Sequence, residues 1–316
     1  MSIQERFRAS TLAIVLMVAT VSYGCQDENQ VELQASCPVD VAYVTASGHE
    51  QGARYRAELK ASFQSVSYND HRALMAVAAD PYIQHSPDLA DGWDPVWDLF
   101  MNRSPDFSTR QMQWLGKDGF LDNGNFLVMF REVNRGDSTP PSKIVDLMRF
   151  DENGKYAEHW DIRQPLSNET ASGRSETDAA DVFVNNPVAY SEQIEESNKA
   201  VVAAFLNLAF NEGNLNKALT EYVDDNYIQH NPFIADGVEP VRQAFASGNI
   251  PALCYDIQHI LAQNDLVVVQ SKVTSTEGVS AVVDILRVRD GKLVEHWDIM
   301  QPVPPDSEMP HDNGMF

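Results

Sequence analysis

Positive charge and cysteine are what this 316-residue chain has least of. It carries 23 Lys and Arg against 46 Asp and Glu, a net charge of −23, with a pI of about 4.5. Sequence-independent nucleic-acid binding needs clustered Lys and Arg to neutralise phosphates, so that class is excluded, and anionic lipid surfaces are repelled in the same way. There are three cysteines and no C-x-x-C, so neither a zinc site nor a thioredoxin-like motif is readable. No run approaches the roughly 18 apolar residues of a spanning helix. G-x-S-x-G, H-E-x-x-H, the P-loop and G-x-G-x-x-G are all missing, which leaves triad, zincin and nucleotide readings no foothold. What remains is globular in composition, 43% hydrophobic and 22% charged. The length predicts two domains, each able to bury a core.

The first residues read as an address. Arg6 and Arg8 precede an apolar run from Leu12 to Val21, which ends at Ser22-Tyr23-Gly24-Cys25. A basic start and a short apolar core are the pattern of a secretory signal. Gly24-Cys25 resembles a bacterial lipobox, with Ser22 where that motif usually has Leu. Residues 1–25 are therefore expected to be a signal peptide, with Cys25 either acylated or left as a thiol. Export to the periplasm or cell envelope follows, with membrane contact only through the signal or lipid anchor. Residues 26–52 are polar and read as a flexible leader. A Cys37–Cys254 disulfide is allowed by that compartment but unsupported by spacing, and Cys254 reads as a small core residue.

An internal repeat organises the rest. Tyr82-Ile-Gln-His85-Ser-Pro87-Asp-Leu-Ala-Asp-Gly92 recurs as Tyr227-Ile-Gln-His230-Asn-Pro232-Phe-Ile-Ala-Asp-Gly237, and from there to Phe100 and Phe245, 11 of 19 positions are identical. Asp146-Leu-Met-Arg149 with Glu158-His-Trp-Asp-Ile162 likewise returns as Asp284-Ile-Leu-Arg287 with Glu295-His-Trp-Asp-Ile299. Two ordered blocks imply a duplicated domain of about 110 residues, each copy folding as a unit. The expected boundaries are 53–166 and 187–304, separated by a Ser/Thr/Glu/Asp-rich linker over 167–186 and followed by a tail, 305–316, with little to pack. In the second half, Ile194, Val201, Val202, Phe205, Leu208 and Ala209 recur at helical spacing until Gly213. Short helices are expected over Asn216–Tyr222 and Pro240–Ala246. Strands follow at Ile257–Leu261, Leu266–Val273, Ala281–Val288 and Leu293–Ile299, with a hairpin turn at Asp290-Gly291 and its counterpart at Asn153-Gly154. Helices followed by an antiparallel meander make an α+β domain.

Strand parity sorts the polar residues. Val282, Asp284, Leu286 and Val288 share one face, as do Ile144, Asp146, Met148 and Phe150. A carboxylate alone on an apolar face is pushed toward neutrality by desolvation, as a general base requires, unless a salt bridge or hydrogen bond holds it in the core. On the last strand Leu293, Glu295, Trp297, Ile299 and Gln301 share a face, and His296 with Asp298 take the other. That pair is an acid–base dyad, two of three metal ligands, or a polar patch in a sheet contact. The Tyr-Ile-Gln-His-x-Pro segments read as loops from which His85 and His230 project into a cavity mouth or bond turn backbone. Trp160 and Trp297 read as core or cavity wall.

These blocks resemble the SnoaL-like polyketide cyclase family of the nuclear-transport-factor-2-like superfamily, over nearly all of the second half and more loosely in the first. The resemblance implies a cone of three helices packed on a strongly curved antiparallel sheet around an apolar pocket, and no cofactor. It implies an Asp/His set that removes a proton alpha to a carbonyl. Residue by residue, Asp284, Asp298, Asp146 and Asp161 are its acid–base candidates, with His230, His296, His85 and His159 to orient substrate or support an oxyanion. The pocket lining would include Glu295, Trp297, Gln301 and Tyr227, and in the first half Glu158, Trp160, Gln164 and Tyr82. Many relatives carry a carboxylate where this chain has Gln164 and Gln301. Because such domains pair through their sheets, two copies in one chain imply an intramolecular pseudo-dimer, with His296 and Asp298 near the contact. The function implied is aldol-cyclase or isomerase-type chemistry on a small apolar or carbonyl-containing molecule. The alternative is a ligand-binding or interaction module of the cell envelope that has lost the chemistry.

Overall fold

A computed structural model describes residues 37, 61, 69–114, 120–121, 125–178, 191–248 and 250–316. The expected signal peptide with Cys25, nearly all of the expected leader, and residues 179–186 of the expected linker lie outside this set. No described helix is long and apolar enough to cross a membrane.

The architecture is α+β, with two sheets. In the first half, α1 (His71–Val77) leads into β1 (Ala78–Gln84), α2 (Trp93–Met101) and the strands β2 (Ser108–Trp114), β3 (Phe120–Leu121), β4 (Phe126–Asn134), β5 (Ser142–Phe150) and β6 (Tyr156–Pro165). In the second, α3 (Glu192–Leu206) runs on into a π-helical turn, Asn207–Asn211. Then come α4 (Leu215–Tyr222), β7 (Val223–Gln229), α5 (Val238–Ala246), β8 (Cys254–Gln263), β9 (Leu266–Ser275), β10 (Gly278–Arg289) and β11 (Lys292–Pro302). The sheets are ordered β1-β6-β5-β4-β2, with β3 on β4, and β7-β11-β10-β9-β8. All pairings are antiparallel except β1 with β6 and β7 with β11.

Local sequence explains the element ends. Ser191 caps α3 by accepting from the Ile194 amide, which satisfies one of the amides left open at a helix start. The helical run stops at Gly213, where φ is +65°. Asp290 and Gly291 both have positive φ, +50° and +72°, as a two-residue hairpin turn demands. The Tyr-Ile-Gln segments are not loops, as their Pro neighbours suggested. Tyr82–Gln84 and Tyr227–Gln229 end β1 and β7, whose Asp- and Asn-containing sequences hide a sheet-edge strand from pattern reading.

Each half has a helix-side core. Val202, Phe205 and Leu206 of α3 and Leu219 of α4 pack on Val267, Val269, Val282 and Leu286. In the first half, Leu74, Trp93 and Val96 pack on Leu127, Met129, Met148 and Phe150. A third cluster draws on both sheets, joining Val128, Phe130, Val145, Trp160 and Ile162 to Val268, Val283, Ile285, Trp297 and Ile299. Here Gln301 Oε1 accepts from the Arg163 amide at 2.9 Å and Gln164 Oε1 accepts from the Met300 amide at 3.0 Å.

Three expectations are corrected here. The tail is anchored rather than loose: His311 Nε2 bonds Ser86 O, Asn313 donates to Gln84 O and Asp91, and Met315 is 1% exposed. The described part of the linker is equally fixed, with Ala171 N on Pro232 O, Arg174 bidentate on Asp236, and Glu176 and Thr177 buried. Polar composition missed both, because short segments bind here through backbone groups and a few charges rather than a periodic apolar face. Cys254 is buried, as expected of a core residue, but it is also disulfide-bonded to Cys37, with Cα atoms 5.4 Å apart. A contact across 217 residues leaves no trace in local spacing.

Candidate functional site

A single bulge decides what faces what. Leaving the Asp290-Gly291 turn, Arg289 pairs with Lys292 and Val288 with Leu293, but Arg287 pairs with Glu295. Val294 is thus the extra residue, and every side chain beyond it changes its cross-strand partner. Asp284 consequently lies directly opposite Asp298, and Leu286 opposite His296. The first half repeats this, with Ala157 extra, Asp146 opposite Asp161 and Met148 opposite His159. His296 and Asp298 therefore join Asp284 on the helix-side face. The face turned to the other sheet thus carries Trp297 and Ile299 rather than the expected His296 and Asp298, although Asp298 still lies within 3.6 Å of Lys143 from the first half. The same bulge takes Leu293 into the helix-side core.

Two carboxylates directly opposed on neighbouring strands repel, so one must be neutralised by a cation or become hard to ionise. The two halves resolve this differently. In the first, Arg131 reaches from β4 and donates to both oxygens of Asp146, Nε to Oδ2 at 2.6 Å and a terminal nitrogen to Oδ1 at 2.9 Å. Burial alone would raise the Asp146 carboxyl, but Arg131 and the adjacent His159 hold it well below its usual range. Its opposite number, Asp161, is raised by burial and by the Asp146 charge. Its Oδ1 has no hydrogen-bond partner, and Arg163 stands 3.8 Å from Oδ2.

In the second half the position matching Arg131 is Ser271, each lying opposite the residue two before the Asp. Among the described residues no arginine pairs with Asp284. Its Oδ1 accepts from His296 Nε2 at 2.9 Å, while its Oδ2 and the nearby Ser271 Oγ are buried without a hydrogen-bond partner. Burial raises the Asp284 carboxyl, with His296 offsetting only part of it. The cation acts on Asp298 instead. Lys143 Nζ lies 3.6 Å from Asp298 Oδ1, and Asn231 donates to Oδ2 at 2.5 Å. Burial pushes Asp298 up, but Lys143 and His296 carry it below its ordinary value.

The surroundings of His296 favour its imidazolium form. Its Nδ1 faces Gln229 Oε1 at 3.2 Å, and that oxygen also accepts from the Asn231 amide, which identifies it as the amide oxygen. With carboxylate oxygen at Nε2 as well, both ring nitrogens face acceptors. Burial opposes the charge, yet Asp284 and Asp298 raise the ring above its ordinary value. The Tyr227 ring stacks at 6.4 Å. The Tyr227 and Tyr255 hydroxyls are raised by burial and by the two carboxylates. Solvent meets the cluster through His296 and Asp298, whose side chains are 14% and 19% exposed.

The remaining candidates lie elsewhere. His230 stacks on Trp297 at 4.4 Å, with Nε2 on Glu295 at 2.9 Å and Nδ1 on Ser175 O at 3.2 Å. His85 does the same with Trp160, Glu158 and Gly314 O. Both are buried with both nitrogens engaged, so they bond backbone rather than project into a cavity. Glu295 and Glu158 pair with Arg287 and Arg149. Along with Trp297, Trp160, Gln301 and Gln164 they lie at the sheet contact or its margin. Tyr227 and Tyr82 do lie on the helix side. Among the described residues no three His, Cys, Asp or Glu side chains group as metal ligands, and His296 already spends both nitrogens. Lys143, Arg131 and Asn231 were absent from the expected set. Arg131 and Lys143 act diagonally or across sheets, and only the ladder register reveals that.

Residues 202–296 match the SnoaL-like domain family, a stretch that includes Asp284 and His296. No curated protein matches the chain in sequence. Among solved structures the chain is similar to TsrD from Streptomyces laurentii, at 22% identity over 34% of this chain and 89% of that one, with a TM-score of 0.29. It is also similar to IdmH from Streptomyces antibioticus, a candidate polyketide cyclase, at 24% identity over 33% and 91%, with a TM-score of 0.29. An NTF2-like protein of unknown function from Mesorhizobium loti aligns at 18% identity over 35% and 97%, with a TM-score of 0.31.

Proposed function

We propose that the second half performs cofactor-independent acid–base chemistry on a small carbonyl compound, of the aldol-cyclase or isomerase type. One observation carries this reading. Asp284 Oδ2 is a buried carboxylate oxygen with no partner, on a group whose proton affinity is raised, beside an imidazolium. Such an oxygen can take a proton alpha to a carbonyl, hold it, and return it elsewhere. His296 supplies positive charge next to the enolate that forms. In the first half Asp146 has no free oxygen, while Asp161 keeps an unpartnered Oδ1 with Arg163 3.8 Å from its Oδ2; a ligand-binding or structural role there is the second reading that the sequence offered.

The same reading takes the chain as two tandem SnoaL-like domains paired as an intramolecular pseudo-dimer. The matching strand order and the apolar cluster drawn from both sheets support it. The buried Cys37–Cys254 bond supports an oxidising, exported location. The mass of the mature N-terminus, recovered from envelope fractions, tests export and acylation at Cys25.

The catalytic proposal is tested by deuterium wash-in at the alpha carbon of a panel of 1,3-diketones and β-keto esters, followed by NMR. Asp284→Asn should lower exchange by about 10²-fold or more, and Asp146→Asn should leave it intact. Exchange no faster than buffer across the panel, or unaffected by Asp284→Asn, would refute the assignment.

A further inference from the structure

The second-half site is not built from the second half alone. Lys143 belongs to β5 of the first half, its side chain 1% exposed, with Nζ 2.8 Å from Glu176 Oε2 and 3.6 Å from Asp298 Oδ1. The matching residue of the second half, three before Asp284 as Lys143 is three before Asp146, is Ala281. The first half therefore receives no such cation in return. Its own cation, Arg131, sits on the other member of the carboxylate pair.

We propose that Lys143 is a positioning residue of the second-half site: from across the sheet contact it keeps Asp298 ionised and in place, leaving Asp284 as the proton acceptor. This rests on the acid–base reading above and deepens it by assigning what separates two chemically similar aspartates. An opposed Asp pair has two ways to share its burden. His296 bears on both members, bonding Asp284 through one oxygen only; a bidentate cation on Asp284 would remove its free oxygen, as at Asp146. A further cation on Asp298, Lys143, biases the pair in one sense. Among the described residues, the charged and titratable groups facing Asp298 fit this account. Asp284 opposes it on β10, His296 lies two residues away on β11, and Lys143 reaches it with Glu176 behind. The Tyr227 and Tyr255 hydroxyls feel its charge, and Asn231 donates to it.

The experiment uses the full chain with aspartate carboxyl carbons labelled, the Asp298 signal being assigned through Asp298→Asn. Lys143→Met should raise the Asp298 midpoint by about one to three pH units. Lys143→Met with Glu176→Gln removes the cation together with its closer partner, so Glu176 is not left as an unpaired buried charge, and the same rise is expected at Asp298. Lys143→Arg should restore the midpoint. Glu176→Gln alone keeps the cation and should move it downward. A merely structural Lys143 would lower melting temperatures without shifting Asp298. A double-variant midpoint within about 0.3 pH units of wild type, or an unmoved midpoint in Glu176→Gln, overturns the proposal. Absence of isotope exchange in wild type sinks the acid–base reading alone, since the titration is read without substrate. Normal exchange beside an unmoved midpoint sinks the Lys143 role alone.

Discussion

The contrast between the halves can be tested at Arg131. Its guanidinium is 19% exposed and Asp146 4%, so the pair is mostly dry. Arg131→Met keeps much of the side-chain volume and removes the charge, leaving Asp146 buried opposite Asp161. Breaking a buried pair from one side costs about 3–5 kcal/mol. At about 2–4 °C per kcal/mol for a unit of this size, melting should fall by roughly 6–20 °C at pH 7. The pH dependence carries a sign. In the native protein Arg131 depresses the Asp146 carboxyl, so its contribution is present above about pH 4 and is lost only as pH falls through the lower folded value. In the variant the carboxyl is raised by burial, and the penalty grows as pH climbs above about 4. The gap between variant and wild type should therefore be widest near neutrality and narrow toward pH 4, read by calorimetry in a pH series. Adding Asp146→Leu should recover most of the loss, because an apolar pair replaces a buried ion without partner. A single variant that melts within about 2 °C of wild type at pH 7, or a gap that does not narrow on acidification, would refute the argument.

His296 is raised by Asp284 and Asp298 against burial, so its ring signals should titrate above about 6.5, and Asp284→Asn should lower the midpoint. Its stabilising contribution is full below that ordinary value and fades as pH rises through the folded one; a midpoint at or below 6.5 would contradict the imidazolium assignment. Removing residues 305–316 should cost about 3 kcal/mol through Met315 alone and speed hydrogen exchange at Gln84–Ser86, where Asn313 and His311 bond. Unchanged exchange there would show that the tail does not clasp the segment. The Cys37–Cys254 bond closes a span of 217 residues, which chain-entropy accounting puts at about 5 kcal/mol. Reductant, or Cys37→Ser, should lower the melting temperature, and equal melting with and without reductant would count against the bond.

Much of the fold was legible because each element carries its own signal. The α3 periodicity, the stop at Gly213, the Asp290-Gly291 turn and the alternation along β10 are local, and the structure matches them except at Ile194, which is exposed at the start of α3 while Val202, Phe205, Leu208 and Ala209 are buried. The edge strands β1 and β7 were not legible, since their ends look like Pro-flanked loops. Nor were the tail and linker contacts, which rest on isolated groups such as Asn313 and Arg174. For the site, Asp284, Asp298 and His296 stood out as polar residues in apolar strands. Glu295 stood out for the same reason and His230 for its place in the repeated Tyr-Ile-Gln-His-x-Pro segment, yet their hydrogen bonds serve the sheet contact.

The sequence by itself determined which side chains alternate along each strand, because side-chain direction has period two and needs no partner. It also determined that the polar set occurs twice. Only the tertiary structure decided which faces meet. One unpaired residue, Val294 or Ala157, turns an Asp opposite a Trp into an Asp opposite an Asp. Only the tertiary structure decided, too, which aspartate of each pair has Arg131 or Lys143 beside it, because those cations come from other strands. Charge acts through space at a few ångströms, and chain order does not record that distance.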